Sequence, residues 1–230
     1  MAKHLDLEEQ EQLDELKHFW KKYGDLITWV LIAVFGAVAA WNGYQYWQVR
    51  QTAQASALYE EVDRAAQAND LPRMDLAYAE LKDRFGSTLY AGQAGLLVAK
   101  TQFDKGNADA SRAALTWLSA NALDEGYKAL AKLRLSGLLM DAKAYDDALR
   151  LVSDKFPADF VALASDRKGD ILSAQGKKSE ARAEYEKAYK SIDARADYRR
   201  LVEVKLNAMG ADPGAVVSSD AEKAVSEPKK

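Results

Sequence analysis

Cysteine is missing from the chain altogether, and histidine nearly so: His4 and His18 are the only two among 230 residues. The first absence excludes disulfide frameworks, thiolate metal sites, cysteine nucleophiles and a lipidated N-terminal cysteine. It suits an oxidising compartment, where stray thiols are a liability. Both histidines precede the one long apolar run, so everything after Arg50 lacks an imidazole base or ligand. An excess of positive charge is lacking too. The formal net charge of −3 offers no footing for nucleic acid, since phosphate binding needs a basic face. There is no phosphate loop, metal-ligand cluster, nucleophile elbow or glycine-rich dinucleotide turn. No catalytic residue, metal or cofactor is expected, and the chain reads as a binding protein rather than an enzyme.

What is present begins with an apolar run. From Leu26 to Val49 no residue is charged. As a helix, Leu26–Trp47 is roughly 33 Å long, enough to cross a hydrocarbon core of about 30 Å. Leu26, Ile27, Val30, Leu31, Ile32, Val34, Phe35 and Val38 together favour insertion by about 2 to 5 kcal/mol. Ala37–Ala39 spells an A-x-A cleavage site, so a signal removed near Ala39 is the competing reading. Two features favour an anchor that stays. The preceding segment is long and acidic (Asp6, Glu8, Glu9, Glu11, Asp14, Glu15, Asp25), where a signal is short and basic. Trp20, Tyr23 and Trp29 mark one interface and Trp41, Tyr44, Tyr46 and Trp47 the other, and cleavage would strand the second belt. Lys17, Lys21 and Lys22 before the run, against Arg50 alone after it, put the N-terminus in the cytoplasm and the rest outside. Within the span, Trp29, Ala33, Gly36, Ala40, Gly43 and Trp47 share one helical face on which a second membrane helix could dock closely. The plainer reading is the ordinary glycine and alanine content of membrane helices.

Beyond Arg50 the pattern is helical periodicity broken by short polar turns at Ala68–Asp70, Asp104–Asn107, Asp141–Ala144 and Gln175–Lys178. In Ala162–Arg195, small residues at Gly169 and Ala181 and a large one at Tyr185 fall at positions eight, twenty and twenty-four of a unit of about 34 residues, resembling the tetratricopeptide pattern. Small residues belong where two helices of a hairpin come closest. The same register traced backward gives Ser136, Ala99 and Ala65 at position eight, and Ala148, Ser111 and Ala77 at position twenty. Position twenty-four holds Val152, Leu115 and Leu81. A longer step between the second and third units points to an extended loop at Ser119–Gly126, and a last helix over Ala196–Ala208 would cap the array. The expected fold is all-α. A cytoplasmic amphipathic segment (1–24) leads to a single transmembrane helix (25–49), then a tetratricopeptide-like helical-hairpin solenoid (50–210) and a disordered tail (211–230).

In such arrays the first helix of each pair lines an inner groove. Positions five, nine and twelve would project there, giving Leu96, Lys100, Phe103, Leu133, Met140, Asp166 and Asp170 as groove residues. The middle is then apolar and the far end acidic, suited to a segment with an apolar stripe and a basic end. The alternative is that the large residues are inter-repeat core. Asp166 and Asp170 also form a carboxylate pair, read as a groove edge partnered by Arg167 or Lys168 rather than as an acid–base site. Gly92–Gly95 reads as a close-packing site within a helix.

With these residues in view, the chain resembles the YfgM-type ancillary subunit of the bacterial Sec translocon. The resemblance rests on LDLEEQEQLDELKHFWKKYG at Leu5–Gly24, WNGYQYW at Trp41–Trp47 and SDRKGDILSAQGKKSEARAEYEKA at Ser165–Ala188. It implies a single-pass inner-membrane protein with a cytoplasmic N-terminus and a periplasmic repeat domain. Its implied partners are the SecYEG translocon and a membrane-anchored periplasmic chaperone of the prolyl-isomerase type, and its implied role is to assist exported or inserted polypeptides. The alternative is a membrane-anchored regulatory scaffold that titrates an envelope-stress signalling partner.

Overall fold

The computed structural model describes residues 7–193 and 195–213. The start of the acidic segment, through Asp6, and the tail from Gly214, expected to be disordered, lie outside the described residues. The chain divides into two units, Met1–Ala53 and Gln54–Lys230.

The described residues of the first unit are helical. Helix α1 (Leu7–Gln67) has 61 residues and does not end where the apolar run does; its last turns, from Gln54, belong to the second unit. Among the described residues it is the one helix long and apolar enough to cross a membrane. Most of its apolar side chains there are exposed, with Trp29, Phe35 and Trp41 each about two-thirds exposed or more. Lys22 lies over the Tyr23 ring and Arg50 over the Tyr46 ring, so a cation–π pair brackets each end of the apolar stretch.

The second unit is built of helical hairpins. After α1 come α2 (Leu71–Phe85), α3 (Leu89–Asp104), α4 (Ala108–Asn121), α5 (Glu125–Asp141), α6 (Tyr145–Ser153), α7 (Val161–Ala174), α8 (Lys178–Ser191) and α9 (Asp197–Ala208). From α2 on, each helix packs against its sequence neighbours, and α3–α5 and α5–α7 also touch, which is the contact pattern of a stacked array. The turns α1–α2, α3–α4, α5–α6 and α7–α8 are alike, and α9 ends in the same way. Asn69, Gly106, Lys143, Gly176 and Gly210 take positive φ, and the next residue's N–H donates back to the carbonyl five residues earlier (Asp70 to Ala65, Asn107 to Gln102, Ala144 to Leu139, Lys177 to Leu172, Ala211 to Leu206) at 2.8–3.0 Å. These bonds satisfy carbonyls that the helix end leaves open. Helices α2, α3 and α5 are capped by the side chains of Asp70, Thr88 and Asp124.

Three units keep the register read from the sequence. Ser111 Oγ donates to the Ala99 carbonyl at 2.7 Å, joining positions twenty and eight directly. A Cβ on Gly169 would lie 2.5 Å from the Tyr185 ring, so only glycine admits that approach. The Gly92–Gly95 pair is a close-packing site, with Tyr127 against the first glycine and Tyr78 against the second. Two details differ. In the first hairpin the turn residue is Asn69, which moves the register by one helical turn: Val62, Met74 and Tyr78 hold the three positions. Ala65, Ala77 and Leu81 are buried as well, so the small residues of this hairpin lie one turn off the register that its turn sets, where Val62 and Met74 stand instead. The long step between the second and third hairpins is not an extended loop. Only Ala122–Asp124 separates α4 from α5, and the extra length is carried by the 17-residue α5.

The core follows the array in three clusters. One runs from the end of α1 to α5 around Val62, Met74, Leu81 and Leu118; the next joins α5, α6 and α7 around Leu133, Val152 and Ile171. The last joins α7, α8 and α9 around Leu172, Tyr185, Val202 and Leu206.

Candidate functional site

The first helices of successive hairpins, α3, α5 and α7, place their side chains by register. At position five, Leu133 and Asp166 are buried and Leu96 is half-buried against the first core cluster, so these three face the neighbouring repeat instead of a groove. Position five lies nearest the axis along which the hairpins stack, and its side chain fills the inter-repeat space. In the second and third units positions nine and twelve do open outward. Lys100 and Phe103 from α3 and Gly137 and Met140 from α5 line one groove of about 440 Å³, floored by Ala99, Ser111, Leu115 and Leu138. Phe103 is 49% exposed at its mouth.

The groove has an electrostatic character opposite to the one the spacing suggested. Its rim carries Arg134 and Arg167, with Asp141 as the facing acid. The carboxylates expected to make its far end acidic are absent from the lining, because α9 has taken them. Tyr198 donates to Asp166 at 2.5 Å and Lys205 at 2.8 Å; Lys205 also reaches Asp170 at 2.7 Å, and Tyr185 donates to Asp170 at 2.9 Å. Asp166 is 3% exposed. The partner expected for this pair, Lys168, binds Glu184 instead, and Arg167 comes no closer than 3.9 Å to Asp170. These five side chains pin the last helix to the hairpin before it. Burial first, then the carboxylates beside them, pushes the phenols of Tyr185 and Tyr198 far above the ordinary tyrosine range.

Arg134 and Arg167 escaped the sequence reading, although a signal existed. Both stand two residues before the small position-eight residue (Ser136, Gly169), a recurrence of one basic residue type at one register position.

In the first unit, Trp29, Ala33, Gly36, Ala40, Gly43 and Trp47 are all exposed, and a Cβ built on Gly36 or Gly43 would meet nothing within 4 Å. The face is small-residued and uncovered by protein.

The sequence matches the family model of a tetratricopeptide repeat-like domain over residues 17–211. It is 32% identical over 213 residues to a Neisseria gonorrhoeae protein named ancillary SecYEG translocon subunit, covering 91% of this chain and 100% of that one. Proteins of the same name from Haemophilus influenzae and Escherichia coli K12 are 29% and 26% identical, over 80% and 86% of this chain and 90% and 95% of theirs.

Proposed function

The chain belongs to the tetratricopeptide-like family of ancillary SecYEG translocon subunits, and from that premise we propose that it is a membrane-anchored adaptor whose repeat domain binds polypeptides at the translocon. The family is one of protein-interaction adaptors, not enzymes. The observation that carries the reading is the groove between α3 and α5: an apolar floor, a half-exposed phenylalanine and a polar rim are what a protein segment needs to dock. The anchor is the exposed apolar stretch of α1, and the lysine asymmetry around it orients the repeat domain to the periplasm. A small-residue face at Gly36 and Ala40 supplies a close-approach surface for a channel helix. In the periplasm the groove serves an emerging chain or the membrane-anchored prolyl-isomerase-type chaperone that receives it.

Co-purification from mildly solubilised membranes tests the reading. Phe103→Ser with Met140→Lys should abolish capture of periplasmic partners while leaving the helical circular-dichroism signal unchanged. Undiminished capture by the folded variant would remove the groove from the mechanism.

A further inference from the structure

The charges at the groove are unequally committed. Lys100 is held by Asp104 at 2.5 Å, one turn along the same helix. Arg167 has Asp170 at 3.9 Å, but that carboxylate is already engaged by Lys205 at 2.7 Å and Tyr185 at 2.9 Å. A side chain at Gly137 would meet the Arg167 guanidinium at 3.7 Å, so Arg167 reaches across from α7 to the wall formed by α5. Arg134, on that wall, is exposed and has no ion-pair partner among the described residues. Two guanidinium groups, one free and one weakly paired, thus border an apolar floor on which Asp141 is the single uncommitted acid.

Guanidinium is the planar donor that matches a carboxylate in bidentate fashion, and a docked carboxylate on a half-desolvated apolar floor is screened less than one in water. The volume, about 440 Å³, admits one or two large side chains and not a folded surface. We infer that this groove selects extended protein segments in which Asp or Glu stands beside a large apolar residue, the apolar side chain seated against Phe103, Leu138 and Met140 and the carboxylate between Arg134 and Arg167. This rests on the protein-binding reading of the same groove. A segment with a basic end, which the sequence spacing favoured, is the one this rim repels.

The test uses the full-length chain in detergent micelles and two labelled extended peptides, one alternating leucine with glutamate and its twin carrying lysine for glutamate, followed by fluorescence anisotropy. The acidic peptide should bind at least about tenfold more tightly than its twin, and Arg134→Glu should reverse that preference by a similar factor. Phe103→Ser should weaken both peptides. If the wild-type chain binds the twins equally and Phe103→Ser still weakens both, the groove binds protein and the charge selection is wrong. If neither variant changes either affinity, the groove reading fails with it. If light scattering shows self-association that Arg134→Glu abolishes, the occupant is a second copy of this chain and the inference is overturned.

Discussion

Asp166 is a carboxylate taken out of water and given three compensating contacts, two from Lys205 and one from Tyr198. Removing the carboxylate leaves the Tyr198 hydroxyl without its acceptor and takes from Lys205 one of its two partners. Asp166→Ala should therefore destabilise the second unit by about 3 kcal/mol in urea denaturation, with Lys205 left to Asp170 alone. A cost under about 1 kcal/mol would mean α9 is held by its apolar contacts only. The neighbouring phenols set a pH dependence. Their folded-state pKa values are raised, so the unfolded chain releases these protons first. The stabilisation is complete below about pH 10, the unfolded tyrosine pKa, and is lost as pH rises from there toward the folded values. Melting temperature should fall above about pH 10, and Tyr198→Phe should blunt the fall. Glycines divide by the same reasoning. Gly169→Ala, whose Cβ would meet the Tyr185 ring at 2.5 Å, should cost about 1 to 3 kcal/mol, whereas Gly137→Ala, inside α5 with its Cβ in ordinary contact with Arg167 at 3.7 Å, should raise stability by up to about 1 kcal/mol.

At the scale of elements, what could be read from the sequence was what repeats. Turns announce themselves by composition, since DKGN and QGKK place glycine where φ is positive, and the structure turns at Gly106 and Gly176. Lys143 stands at the same point without glycine's freedom, at φ 60°. Lys143→Gly should raise stability by about 1 kcal/mol, measurable in thermal or urea unfolding, because a side chain in the left-handed region carries that strain. The first hairpin was legible as a pair but not in register: α1 offers Val62 and Ala65 one turn apart, both buried, and the small Ala65 and Ala77 pointed to the register one turn off, because the turn residue there is Asn69 rather than a glycine. The groove was half legible. Helical spacing found Lys100, Phe103 and Met140, which line it. It mistook position five for an open one, because whether a residue looks into a groove or into the next repeat depends on how hairpins stack, which no single helix encodes. The loss of Asp166 and Asp170 to α9 depends on Tyr198 and Lys205, residues 32 and 39 positions further on, a pairing that local periodicity does not reach.

For the whole molecule, the proposed adaptor assigns docking to the helix that can cross a membrane and binding to the array of hairpins. A reporter active only outside the cytoplasm, fused after Lys230, should be active, and the mature chain should retain residues 1–40; an N-terminus starting near Ala40 would show the span to be a cleaved signal. Gly36→Leu with Ala40→Leu should reduce co-purification of channel subunits with no change in melting of the repeat domain, because bulk on that face prevents close helix approach. The most direct test of the adaptor account places a photo-activatable residue at Phe103 in the full chain, in bacterial membranes where an exported polypeptide is arrested in the channel. The account predicts that the probe at Phe103 captures the arrested polypeptide or a periplasmic chaperone, and that a probe at Leu76, exposed on α2 away from the groove lining, does not. Capture from Leu76 with none from Phe103 would contradict it.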